Sequence, residues 1–316
     1  MERYHSFNSY MKERFGGKVY KLALDAGMTC PNRDGTLGTG GCIFCAGGAG
    51  EFSEKDCGDL QTQIERAKAR IRAKTDAEKF IAYFQSYTNT YAPAERLEAL
   101  FFPVADLPEI EAVSVATRPD CLGGEVLDVL ERLRKKKPLF VELGLQTMHE
   151  ESARLIRRGY PLSVYERAVK DLNGIGAEVV THVILGLPRE SAEMMEETVR
   201  YVGRSGARGI KLQLLHVLAG TELQKMYERG EFSVLSADEY IGVLCRMVEA
   251  LPPEIVVHRL TGDAPKRLLV APACAVPTFE RAIYRPFECC IISLDYVQYL
   301  YSTTTSQLVF VFILRK

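Results

Sequence analysis

From residue 18 onward, short apolar runs alternate with longer amphipathic stretches, and polar residues gather just after each apolar run. Residues 18–25 alternate apolar and polar side chains and predict a strand. Further strands are expected at 80–84, 112–116, 139–143, 178–185, 209–215 and 255–258. Helical periodicity marks 57–74, 93–101 (with Pro93 in the first turn), 124–136, 149–158, 163–175, 191–205, 221–229 and 237–250. Gly159, Tyr160 and Pro161 separate the fourth and fifth of these helices. At least six strand–helix repeats result, which implies an α/β fold of parallel strands with right-handed crossovers. The polar clusters fall at the C-terminal ends of the strands, the face that carries active sites in a (β/α) barrel. A doubly wound sheet gives the same alternation. No dinucleotide fingerprint follows the first strand, where three cysteines stand instead, and this favours the barrel.

Composition narrows the classes. The 316 residues, 47% hydrophobic, supply a large core, and the net charge of −1 gives no global basic signature for nucleic acid. Residues 1–20 are charged and aromatic and do not read as a secretory leader. No apolar run approaches membrane-spanning length, so no membrane partner is expected. Nine cysteines, three of them clustered, suggest a metal site in a reducing, cytoplasmic setting rather than disulfides. Cys121 and Cys245 read as structural.

The clustered cysteines are Cys30, Cys42 and Cys45, on a loop rich in Gly, Asn and Asp that follows the first strand. Thiolates are soft ligands suited to iron–sulfur clusters or zinc. Three thiolates on a four-iron cubane leave one iron open to a small molecule. Two plainer readings stand beside this one. Cys57 follows Cys45 by the gap that separates Cys30 from Cys42, which allows a four-thiolate zinc site, although only Cys42 and Cys45 form a close pair. Alternatively the three are buried thiols acting as small hydrophobes. The surrounding glycines argue against that, because they free the backbone to wrap an inorganic centre.

The cysteine loop, with Phe44 before its last cysteine, resembles the cluster loop of the radical S-adenosylmethionine (SAM) superfamily, with a longer first gap like that of the Elongator catalytic branch. Thr117-Arg118-Pro119-Asp120, Glu142-Leu143-Gly144-Leu145-Gln146-Thr147, Arg157-Arg158-Gly159-Tyr160, His182 with Gly186-Leu187-Pro188, and His216 to Thr221 resemble that branch's later strand ends. Residues 4–10, 83–91 and 258–265 are similar to the YhcC-type radical SAM family. The set spans about residues 1–272 and is specific through its order.

The resemblance implies an incomplete (β/α)6 TIM-like barrel with a [4Fe–4S] cluster on Cys30, Cys42 and Cys45. It further implies SAM on the free iron, with Phe44 beside the adenine and Gln85 and Ser86 at the amine. This chain lacks the acidic residue that relatives carry there. Glu142 and Gln146 would lie near the ribose, Arg158 on the SAM carboxylate, and Gly186, Leu187 and Pro188 along the adenine edge. Plain alternatives remain for several of these. Arg157 and Arg158 could serve a helix dipole, Gly186 and Pro188 a turn, and His182 and His216 the core. Lys211 could face solvent, Tyr87 and Tyr91 could be packing aromatics, and residues 135–137 read as a solvated helix end.

Residues 273–316 depart from this pattern: they hold no Gly and only seven charged residues, and end in an apolar run at 308–314. The chain therefore reads as a radical SAM partial barrel over 1–272 with an atypical C-terminal segment over 273–316. Its expected activity is reductive cleavage of SAM to a 5′-deoxyadenosyl radical, fed by an electron donor such as flavodoxin or ferredoxin. The Elongator likeness favours a tRNA base as substrate; a metabolite or protein side chain stays open. The reading of a different class is a non-catalytic zinc- or cluster-binding interaction module.

Overall fold

A computed structural model describes residues 3–47, 59–262 and 264–272. Cys57 and residues 273–316 lie outside the described residues, so the helix expected from residue 57 is seen from Asp59 onward. Asp59 caps it by accepting from the Thr62 amide at 2.9 Å.

Seven parallel strands form one sheet in sequence order: β1 (Tyr20–Leu24), β2 (Phe80–Phe84), β3 (Ile110–Thr117), β4 (Leu139–Gln146), β5 (Glu178–Leu185), β6 (Gly209–Leu214) and β8 (Val256–Arg259). The first and last of these do not pair, so the barrel stays open on one side. A small antiparallel pair, β7 (Val217–Leu218) with β9 (Leu269–Ala271), lies beyond β6. Register places Ala23 opposite Tyr83, Tyr83 opposite Ser114, Gly144 opposite His182, and His182 opposite Lys211. Because strand side chains alternate, one polar residue from each of several strands faces the barrel interior.

The helices are α1 (Phe7–Phe15), α2 (Leu60–Arg72), α3 (Ala94–Ala105), α4 (Gly124–Lys136), α5 (Glu150–Leu155), α6 (Leu162–Gly174), α7 (Ala192–Arg204), α8 (Glu222–Glu228) and α9 (Ala237–Glu249). The main core lies between the crossover helices and the outer sheet face, and includes Leu24, Phe84, Leu97, Phe101, Val141, Leu212 and Tyr240. Leu97 and Phe101 are fully buried on one face of α3; each contributes roughly 1.5–3 kcal/mol by burial. A separate cluster of Met11, Val19, Ile81, Ala112, Phe140 and Val180 closes the N-terminal end of the barrel, with Phe7, Tyr10 and Phe15 of α1 packed on it. Helix α1 is therefore a plug on the N-terminal end of the barrel. Among the described residues, no helix is long and apolar enough to cross a membrane.

Candidate active site

A cavity of about 420 Å³ occupies the C-terminal end of the barrel, within the range of small-ligand and cofactor pockets. Cys30, Cys42 and Cys45 line it, together with Phe44, Gln85, Glu142, Gln146 and Arg158. Ser86, Gly186, Leu187 and Pro188 do not. Ser86 is fully buried behind Gln85, with its carbonyl accepting from Asn89 Nδ2 at 3.1 Å. Leu187 is buried in an apolar cluster with Ile43, Ile156 and Leu215, and a Cβ added at Gly186 would meet the Leu235 side chain at 3.2 Å. Ile184, earlier on the same strand, lines the wall in their place.

Three neighbouring segments hold the cysteine loop. The Ile43 amide donates to Ile156 O at 3.3 Å, and Leu223 N donates to Ile43 O at 2.9 Å. Thr88 N donates to Thr29 O at 3.2 Å, and the Arg33 guanidinium donates to Cys45 O. Asn32 is the central peg: its side-chain amide donates to Arg157 O at 2.8 Å and lies 3.5 Å from Cys42 Sγ. Gly159 has φ +88° and an added Cβ would stand 2.9 Å from Asn32 Oδ1, so this position requires glycine on both counts. Burial pushes the Cys42 thiol up to about 11.

Arg158, expected on the SAM carboxylate, lines the cavity and is already engaged by its neighbours. Its side chain is 2% exposed, and its donors go to the chain itself: Nε to Tyr160 O at 3.0 Å, Nη1 to Leu145 O and Thr147 O at 3.2 and 2.7 Å, and Nη2 to Glu150 at 3.3 Å. The acceptors exist because Gln146 takes φ +62° and turns the end of β4, leaving the carbonyls on either side of it directed at the guanidinium. Arg158 thus positions the Gln146 turn, and its donors are engaged before any SAM carboxylate arrives. The Gln146 side chain folds over Gly144, where an added Cβ would meet it at 2.7 Å. Tyr160 lies between two guanidinium groups, Arg118 at 4.9 Å and Arg158 at 5.0 Å from its ring centre. Arg118 itself forms a two-point pair with Asp120 at 2.9 and 2.7 Å. The Gln85 Nε2 is buried with no hydrogen-bond partner among the described residues, an orphan that a ligand in the cavity would satisfy.

Glu142, expected near the ribose, lines the cavity and anchors a buried ion group. It is fully buried at the inner end of the cavity and joins five neighbours. Lys21 Nζ lies at 3.1 Å, Ser114 Oγ at 2.9 Å and His182 Nε2 at 2.8 Å, with Lys211 Nζ in contact and Tyr83 bridged through Lys211 at 3.0 Å. Burial opposes the Glu142 charge, but Lys21 and Lys211 win and hold its carboxyl well below the usual range. Burial pushes Lys211 down to about 7 against the pull of Glu142, and burial plus Lys211 lower His182. Lys211 is buried and faces inward, not toward solvent. Sequence reading left Lys21, Tyr83 and Asn32 without a role. The inward, period-two positions of successive strands are the signal that unites the first two with Glu142, His182 and Lys211.

Among the described residues, no three His, Cys, Asp or Glu converge on a single metal ion. Cluster ligands each bind a different iron and need not converge, so three thiols spread along one cavity wall fit a polynuclear centre.

A parallel, laterally open β/α barrel with a three-cysteine loop at its C-terminal mouth defines a class, and comparison with known proteins agrees. The model described as Radical SAM superfamily matches residues 34–202, and that of the Radical_SAM C-terminal domain matches 207–286. The Bacillus subtilis protein YtqA is 46% identical over 280 residues, covering 88% of this chain and 87% of that one. Escherichia coli YhcC is 34% identical, covering 84% and 85%. A Methanocaldococcus jannaschii tRNA uridine(34) acetyltransferase is 24% identical over 79% of this chain and 52% of its own length. The structure of Methanocaldococcus infernus Elp3 shares the fold at a TM-score of 0.66 and 19% identity, covering 85% of this chain and 62% of that one. The chain belongs to the radical SAM superfamily.

Proposed function

We propose that this radical SAM enzyme holds a [4Fe–4S] cluster on Cys30, Cys42 and Cys45, leaves one iron open for SAM, and acts on a tRNA base. The observation that carries the first part is the placement of three thiols, and no other described cysteine, on the wall of one barrel cavity. With both bound, the cluster would supply the one electron that cleaves SAM to methionine and a 5′-deoxyadenosyl radical.

The chain's own residues bind and orient. Asn32 aims Cys42, Phe44 lines the space beside the loop, and Gln85 offers its orphan amide to the SAM amino acid end. Gln146, fixed by Arg158, would stand beside the ribose. The α1 plug closes the barrel behind and limits water entry. An electron donor such as flavodoxin or ferredoxin would reach the loop from the open face. The tRNA assignment draws on the uridine-modifying relative.

The test is anaerobic reconstitution with iron and sulfide, reduction, and measurement of 5′-deoxyadenosine with and without bulk tRNA. About four irons per chain, slow release of 5′-deoxyadenosine alone and faster release with tRNA support the reading. One zinc per chain and no SAM cleavage would instead make the protein a non-catalytic metal-binding module.

A further inference from the structure

The inner end of the cavity holds Lys211 and Arg259, two cations to which the SAM reading gives no role. Arg33, Arg118, Arg158, Lys211 and Arg259 line the cavity, and among the described residues Glu142 is the only carboxylate that does. Arg118 is matched by Asp120 and Arg158 by Glu150. Glu142 is shared between Lys211 and Lys21, which reaches it from the plugged end at 3.1 Å. Arg259 presses further positive charge on both Lys211 and Tyr83. His182 and His258 add no further positive charge: both are held low by burial, with the lysines adding to the effect.

Lys211 itself is incompletely used. An ammonium has three donors. Lys211 spends one on Glu142 and one on the Tyr83 hydroxyl at 3.0 Å. Its third has no partner among the described residues, while the side chain lines the cavity and is 5% exposed.

We propose that the inner end of the cavity is an oxyanion site, in which Lys211 and Arg259, with Tyr83 beside them, seat a carboxylate or phosphate group of the substrate. This rests on the reading that the outer half of the same cavity takes SAM, and it adds a chemical requirement on what lies next to SAM. Burial holds Lys211 near 7. The groups that face it are Tyr83 on β2, Glu142 on β4, His182 on β5, Arg259 and His258 on β8, and Lys21 on β1. An arriving anion favours the ammonium form. Above pH 7, binding therefore takes up protons.

The experiment is calorimetric titration of acetate, and separately of inorganic phosphate, into the reconstituted SAM-loaded protein at pH 8, in two buffers of different ionisation heat. Saturable one-to-one binding with proton uptake is expected for acetate if the site suits carboxylates, and for phosphate if it suits phosphoryl groups. Lys211→Gln should weaken it at least tenfold. Lys211→Arg should retain binding but lose the uptake, which guards against a variant that merely misfolds. Absence of saturable binding of either anion to the unsubstituted protein, or equal binding by Lys211→Gln, overturns the proposal. SAM cleavage by the unsubstituted protein is measured on the same samples. Intact cleavage without anion binding removes this inference alone, whereas absent cleavage removes the reading beneath it.

Discussion

Asn32 Nδ2 lies 3.5 Å from the Cys42 sulfur while donating to the Arg157 carbonyl at 2.8 Å. One side chain thereby ties the cysteine loop to the segment after β4 and directs an amide at a thiolate. Hydrogen bonds to cluster sulfurs raise reduction potential, and partners of metal ligands sustain affinity. Asn32→Ala should lower the cluster's midpoint potential and weaken iron retention about 10-fold or more. Redox titration followed by electron paramagnetic resonance (EPR) checks this; an unchanged potential in a fully loaded variant contradicts it.

Any one of Cys30, Cys42 or Cys45 changed to Ala should abolish the cluster, and Cys57→Ala should leave it. Iron and sulfide content after reconstitution decides. Loss of metal in Cys57→Ala, with zinc replacing iron in the parent, points to a four-thiolate site.

Glu142 is the hub of the buried ion group, fully enclosed with Lys211 and Lys21 against it. Glu142→Gln leaves Lys211 buried without its counter-charge and should cost about 3–5 kcal/mol of stability. Combining it with Lys211→Met should recover a substantial part of that loss. Urea unfolding of the two single variants and the double variant measures the coupling, and additive losses would show that the pair does not interact.

The same group makes stability depend on pH in two windows. Glu142 titrates below its ordinary 4.5 in the folded chain. Its contribution is thus complete above about pH 4.5 and falls away as acid protonates the native carboxylate. Lys211 is lowered on folding as well, to about 7 from 10.5 in the unfolded chain. Between those values the unfolded chain holds the extra proton, so the Lys211 contribution rises with pH, by at most about 1.4 kcal/mol per unit. Relative to Lys211→Met, the parent protein should gain stability from pH 7.5 to 9.5 in urea titrations. A constant difference between the two refutes the assignment.

The repeating fold was legible because each strand–helix unit leaves its own period in the sequence, and β2, α4 and β5 fall where the pattern places them. Helix α1 was not legible: only Met11 of its nine residues is buried, and what it packs on is assembled from four strands. The β7–β9 pair is too short to leave a period. The cysteine loop was readable because its chemistry is local. Lys211 was ambiguous because alternation alone does not say which face of β6 is inward; register with His182 decides it. The partners of Arg158 were not legible because they are backbone carbonyls exposed by the left-handed Gln146, and sequence names the donor without its acceptors.

The central claim is that SAM binds the iron left open by three thiolates. Its most direct test is EPR with electron–nuclear double resonance on the reduced, reconstituted protein, using SAM labelled with ¹⁵N at the amine or ¹⁷O at the carboxylate. The account predicts that SAM alters the cluster signal and that both labels show hyperfine coupling. A reduced cluster whose spectrum is identical with and without SAM, with no coupling to either label, contradicts it.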